Sequence, residues 1–153
     1  MRNGMIAFAL VSLGFFCGCE RRSDHAEGAG AAPIHRHSAP HDGILVEVGE
    51  HQFNVELVHD AATGTLTLYT LDAHAENFVR TAMPAIELSV AVGGQARALT
   101  LLPVANAATG ETVGATSQYQ VQAEWLKDVS RLTGTLVLLD FNGAKFSQVP
   151  FGH

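Results

Sequence analysis

Eight histidines in a chain of 153 residues are the side chains best suited to chemistry. Three of them crowd into HRHSAPHDG, residues 35–43, beside Asp42. Neutral imidazole is the commonest side-chain metal ligand, and its ordinary pKa near ~6.5 leaves it mostly unprotonated at neutral pH. His35 and His37, two apart in extended chain, point to the same side. His41 and Asp42 can fold back through Pro40 to complete a site. Such an arm suits Zn(II), Cu(II), Co(II) or Ni(II). The spacing is of neither the C-x2-C nor the H-E-x-x-H type, so the assignment is compositional. The competing reading is a polar tether whose histidines chelate weakly and without selectivity. The segment Asp72-Ala73-His74-Ala75-Glu76 adds possible ligands at alternating positions. His153 comes within reach of His41 if the first and last strands are neighbours. The candidate ligands are therefore His35, His37, His41, His74, Glu76 and His153. His51 and His59 share strand parity but lie eight residues apart, about 26 Å at the usual strand rise. They cannot hold one ion, and each reads as a residue at a sheet edge, with His59-Asp60 a half-site at most.

The start of the chain narrows the ligand chemistry further. Arg2 precedes an apolar run, Ile6 to Phe16, of about eleven residues. That is the length of a signal-peptide core and falls short of the roughly 20 residues that span a bilayer. The run closes on Phe16-Cys17-Gly18-Cys19-Glu20, which resembles a bacterial lipobox. Cys19, preceded by small Gly18, is the position expected to carry lipid; a plain secretory signal is the alternative. The resemblance implies three acyl chains, and several chains anchor a protein where one holds it only weakly. It also implies a periplasm-facing protein of the bacterial envelope. The outer membrane is favoured over the inner, because Glu20 is not the aspartate associated with inner-membrane retention. With Cys17 removed and Cys19 acylated, no thiol remains for disulfides, thiolate metal sites or cysteine catalysis. Met83 is the only methionine left, so the chain lacks the sulfur donors a soft copper(I) site needs. Any metal must be held by nitrogen and oxygen.

Other functions are disfavoured by composition. The net charge is −6 and no basic cluster is present, which argues against nucleic acid, whose phosphates need a Lys/Arg stripe. Gly93-Gly94 belongs to a hairpin, not a phosphate loop, since no helix follows it. No serine sits on a nucleophile elbow. The chain reads as non-catalytic.

The elements that must position these residues are strands. Residues 1–18 read as a lipoprotein signal peptide, 19–40 as a flexible, histidine-containing tether and 41–153 as one domain. The domain has 47% hydrophobic and 16% charged residues over the whole chain, with 15 glycines, the mark of a globular, turn-rich fold. From Gly43 the apolar period is two. Ile44 to Val48 is a strand. In the next, Phe53, Val55 and Leu57 face one way and Gln52, Asn54 and Glu56 the other. Asp60 to Gly64 is a hairpin loop leading into Thr65 to Leu71. Ile86 to Val92 and Arg97 to Leu102 flank Gly93-Gly94. Pro103 to Thr116 reads as a long surface loop, and Ser117 to Ala123 alternates again. Trp125, Val129 and Leu132 fall at helical spacing, predicting one short helix near 124–131, with Trp125 in the core. Thr133 to Leu139 is apolar on both faces, predicting a central strand covered on both sides. Asn142-Gly143 is the strongest hairpin signal, since both central positions of a type I′ turn need positive φ. Seven or eight short strands predict an all-β fold: a single antiparallel β-sandwich, immunoglobulin-like, or a partly closed barrel.

The run HDGILVEVGEHQFNVELVHDAATGTLTLYTLDAHAENFV and the terminal NGAKFSQVPFGH resemble a group of small lipoproteins from planctomycete-type bacteria. That group has a His-Gly-Gly start, a Gly-Asp-His turn, a Leu-Asp-x-His-Ala-Glu-Asn loop and a terminal Asn-Gly hairpin ending in His. Here Asp42 replaces the first glycine of His-Gly-Gly, and Glu50 replaces the aspartate before His51. More distantly, the layout of glycine turn, strand, acidic hairpin and strand is similar to the N-terminal β domain of periplasmic adaptor subunits of heavy-metal efflux pumps of the RND type. The helical hairpin and lipoyl-like domain of an adaptor are missing, so the resemblance implies a detached accessory domain at most. The expected function is a lipid-anchored transition-metal-binding or metal-efflux accessory protein. The alternative is a metal-free interaction or structural module of the envelope, working through strand edges or the 103–116 loop.

Overall fold

A computed structural model describes residues 37–152. The expected signal peptide, Cys19, His35 and His153 lie outside the described residues, as does all of the expected tether before His37. Eight strands follow in chain order: β1 (Ile44–Val48), β2 (Phe53–Asp60), β3 (Thr65–Asp72), β4 (Ile86–Val92), β5 (Gln95–Pro103), β6 (Gln118–Gln122), β7 (Gly134–Phe141) and β8 (Ala144–Phe151). A 3-10 turn, Glu124–Asp128, is the one helical element among the described residues. All pairings are antiparallel, in the order β1-β2-β3-β6-β5-β4-β7-β8. This is the barrel of the two expected architectures: one sheet curled until β1 and β8 nearly meet. No helix among the described residues is long and apolar enough to cross a membrane.

Alternation sets which residues fill the barrel. Val46, Val48, Val55, Leu57, Leu66, Leu68, Ile86, Leu88 and Val90 are all buried together. Tyr119 joins them from β6, and its hydroxyl shares a hydrogen bond with the Thr81 hydroxyl at 2.7 Å. Under the 3-10 turn it is Leu126 that plugs the core, while Trp125 packs on the core's margin with the Arg97 guanidinium 5.1 Å from its ring centre. The expected turns form. Asn142 and Gly143 both have positive φ, 55° and 107°, and the ladder on either side starts at Phe141↔Ala144. The stretch after β5 is tied down instead of forming a loose loop, by the bridges Asn106↔Glu111, Thr112↔Ala115 and Thr81↔Thr116.

The seam between β1 and β8 is closed by side chains. Phe53 stacks on Phe141 at 4.1 Å, with Phe146 edge-on at 6.1 Å. Phe146 packs so tightly over the β1–β2 turn that a Cβ on Gly49 would come within 2.2 Å of its ring, and Gly49 also has φ +60°.

β7 corrects the expectation of a strand covered on both faces. Leu136 and Leu139 both point inward, although they are three residues apart, and Leu138 is left 47% exposed. Simple alternation forbids that pattern. The alternation breaks at Val137–Leu138, where the pairing with β8 skips one position and Gln148, the β8 residue at that place, has φ 54°. Apolarity on both faces is therefore the trace of a break in the alternation, with Leu138 left on an open outer face.

Candidate functional site

On β2, Asn54 and Glu56 occupy the face opposite to Val55 and Leu57, where alternation predicts solvent. Both are buried, Glu56 at 0% exposure. The cause is the segment just before β1, which folds across the outside of β2 and β3. The amides of His41 and Gly43 both donate to Glu56 Oε1, at 2.7 and 3.0 Å. His41 Nδ1 meets Oε2 at 2.8 Å. The two amides that flank Asp42 converge on one oxygen and so form an anion-holding nest. Gly43 is required there, since a Cβ would lie 2.6 Å from the Leu57 carbonyl oxygen. The His41 ring stacks on Tyr69 at 4.2 Å, and Tyr69 is the cross-strand partner of Glu56. Burial, and then the nearby Glu56 charge, push the Tyr69 phenol up. Phe78, half-exposed, completes a triangle of rings at 5.8 Å from each of the other two. His41 is thus the latch of this strap, committed through Nδ1 to a carboxylate.

The other end of the same face holds the histidines that do come together. Asn54 Nδ2 donates to the carbonyls of Asp72 and Ala73, at 2.9 and 3.0 Å, fixing the end of β3. Asp72 then builds the turn after it. Its Oδ1 accepts from the amides of His74 and Glu76, and its Oδ2 from Asn77 Nδ2 at 2.7 Å. The β2–β3 register pairs Phe53 with Asp72, so continuing it outward sets His51 across from His74. The strap delivers His37 to the same place. His37, His51, Ala73 and His74 line a shallow groove of about 220 Å³. The rings of His37 and His74 stand edge to face, 5.7 Å apart. His51 is exposed at the rim, with Nδ1 3.1 Å from Glu47 Oε2.

Of the candidate ligands, His37 and His74 are brought together. His41 lies apart, on Glu56. Glu76 is exposed on the turn, gives its amide to Asp72 and does not line the groove. His59 is elsewhere, its Nε2 2.9 Å from the Leu126 carbonyl oxygen. His51 escaped sequence reasoning because its distance was counted along β2 to His59, when its relevant neighbour is across the ladder. Among the described residues no three His, Cys, Asp or Glu side chains stand in a metal-holding group.

The carboxylates around these turns predict an acid response. Hydrogen bonding, chiefly from Asn77, holds the Asp72 carboxyl below its ordinary value. Burial works to raise Glu111, but the Ser117 amide and hydroxyl, Thr109 and the Arg80 charge outweigh it and leave the carboxyl lowered. A depressed carboxyl contributes stability above its unfolded pKa, and that contribution is lost as pH falls through the folded one. The midpoint of thermal unfolding is therefore expected to hold above about pH 5 and to fall progressively below pH 4. The fall should be shallower in Asp72→Asn and in Glu111→Gln than in the parent chain, as melting curves between pH 6 and 2 will show.

Fold and site together define a small antiparallel β-barrel with a histidine-lined groove at one end of its β2–β3 ladder. No protein-family model, curated protein or solved structure matches the chain.

Proposed function

We propose that this chain is a non-catalytic binder of a divalent transition-metal ion, held to the bacterial envelope by lipid on Cys19 and serving metal buffering or efflux. The reading rests on one observation: three imidazoles from three separate segments line one groove, two of them at 5.7 Å between ring centres. With metal–nitrogen bonds of about 2.0–2.1 Å, two imidazoles on one tetrahedral ion have ring centres roughly 5 Å apart. His37 and His74 are near that spacing already. His51, exposed and held only by Glu47, is the third donor once its ring turns inward, and solvent supplies a fourth. Zn(II), Co(II), Ni(II) and Cu(II) all accept such nitrogen donors. The likeness to envelope lipoproteins and to efflux adaptor domains agrees with this reading without carrying it.

Titrating the full chain with Zn(II), Cu(II) and Co(II) tests it. One-to-one binding at micromolar affinity or tighter is expected, weakened at least tenfold in His74→Ala and in His37→Ala and less in His51→Ala. Loss of one ligand from a bound ion costs at least what a lost outer-shell partner does, about 10–100-fold. Millimolar binding at several sites, indifferent to these substitutions, would leave the metal-free interaction module as the function.

A further inference from the structure

A second site lies where the β4–β7 pairing ends, on the outer wall of the barrel and away from the histidines. The β4–β7 ladder has three register pairs and stops at Leu88↔Leu136. Past that point no further β4–β7 pair forms. The gap is closed at its far end by Asn142 Nδ2, which donates to the Arg80 carbonyl at 3.1 Å. Its floor is Met83, a core residue whose sulfur accepts the Asp140 amide at 3.1 Å in place of a strand carbonyl. The result is an eye in the sheet, a cavity of about 620 Å³. That volume lies within the roughly 300–1,000 Å³ of small-molecule sites.

The lining specifies the guest. Ala82, Pro84, Ala85, Val137 and Leu138 make apolar walls. The charged groups among the lining residues are two carboxylates, Glu87 and Asp140. Asp140 accepts the Gly143 amide at 2.6 Å, and Lys145 Nζ approaches it only to 3.8 Å from an exposed position. Glu87 has no hydrogen-bond or ion-pair partner among the described residues. It projects from the outer face of β4 onto the edge of the eye. An anion would be repelled here, and a bare metal ion would find apolar walls where it needs donors. A neutral apolar molecule would leave both carboxylates unused. We infer that the eye between β4 and β7 binds a small organic cation, with its apolar body over Met83 and Leu138 and its ammonium group against Glu87 and Asp140.

Three isosteric probes separate charge from shape: 1-naphthylmethylammonium, 1-naphthalenemethanol and 1-naphthoate. Each is titrated into the full chain at low salt with chelator present, following probe fluorescence and the NMR signals of the Leu138 methyls and the Gly143 amide. The cation is expected to bind at least fivefold more tightly than the alcohol, the carboxylate not measurably, and the shifts to centre on the eye. Glu87→Gln should reduce the cation's advantage over the alcohol to the part that Asp140 supplies, and an exposed glutamate can be neutralised without disturbing the fold. Leu138→Gln should weaken cation and alcohol alike. The inference is overturned if the alcohol binds as well as the cation, if Glu87→Gln leaves the preference intact, or if the shifts fall outside the eye. Absence of binding by all three probes overturns it equally.

Discussion

Glu56→Ala is expected to lower stability by about 3 kcal/mol, or roughly 10 °C in the melting midpoint of a domain of this size. The carboxylate is fully buried and accepts from three donors, the amides of His41 and Gly43 and His41 Nδ1. Hydrogen bonds to a charged group contribute about 1.5–3 kcal/mol each, and buried donors left without a partner add their own cost. Part of that is offset because the strap can peel away and hydrate its amides. Glu56→Gln separates the two effects: one amide oxygen can still receive both backbone N–H groups, so about half the loss is expected. Hydrogen exchange at the His41 and Gly43 amides should accelerate in Glu56→Ala well before global unfolding, since local opening of the strap becomes easier. If the melting midpoint of Glu56→Ala stays within about 2 °C of the parent, the strap is not held by this carboxylate. On the proposed function the same substitution has a second consequence. The strap carries His37, so releasing it should weaken metal binding although no candidate ligand is touched.

The second large effect concerns the joint between the β4–β5 and β7–β8 hairpins. Gly134→Val is expected to cost about 3 kcal/mol or more, placing it among the severe class of single substitutions. Gly134 starts β7 opposite Val90, in the short ladder that ties β4 to β7. A Cβ at this position would sit 2.2 Å from the Ser89 carbonyl oxygen and 2.8 Å from the Phe151 ring. The first of these obstacles is backbone within a ladder, which cannot move aside without breaking the pairing. Gly143→Val is the informative control. Gly143 has positive φ but open space around it, so its replacement is expected to cost about 1–2 kcal/mol of backbone strain alone. Urea denaturation of both variants ranks them. A Gly134→Val chain as stable as Gly143→Val would mean that β4 and β7 do not approach as closely as described.

Most of the barrel was legible because a strand writes its two faces into the sequence at period two. The alternation in Ile44–Val48 and Ile86–Val92 and the turns at Gly93-Gly94 and Asn142-Gly143 need only local sterics and the contrast between apolar and polar residues. Where the period fails, the cause is tertiary. Thr133 to Leu139 reads as apolar on both faces, and the structure resolves it as a break in the alternation that buries Leu136 and Leu139 together. Nothing local distinguishes a strand whose alternation breaks from one covered on both sides. Glu56 shows the same limit from the polar side. Its parity says solvent, and only the strap lying over β2 reverses that.

The histidine groove divides in a similar way. Composition singled out His37 and His74 as nitrogen donors, because residue type alone decides what an atom can coordinate. Their meeting, and the addition of His51, depend on the β2–β3 register and on the path of the strap. What the sequence determined by itself was an all-β chain, its turns, most of its core and the kind of atoms available to a ligand, since these follow from side-chain chemistry and short-range geometry. The tertiary structure alone decided which distant residues are neighbours, which carboxylate is buried and where the sheet opens. Those outcomes depend on how strands far apart in the chain pair and pack, and no local pattern encodes that.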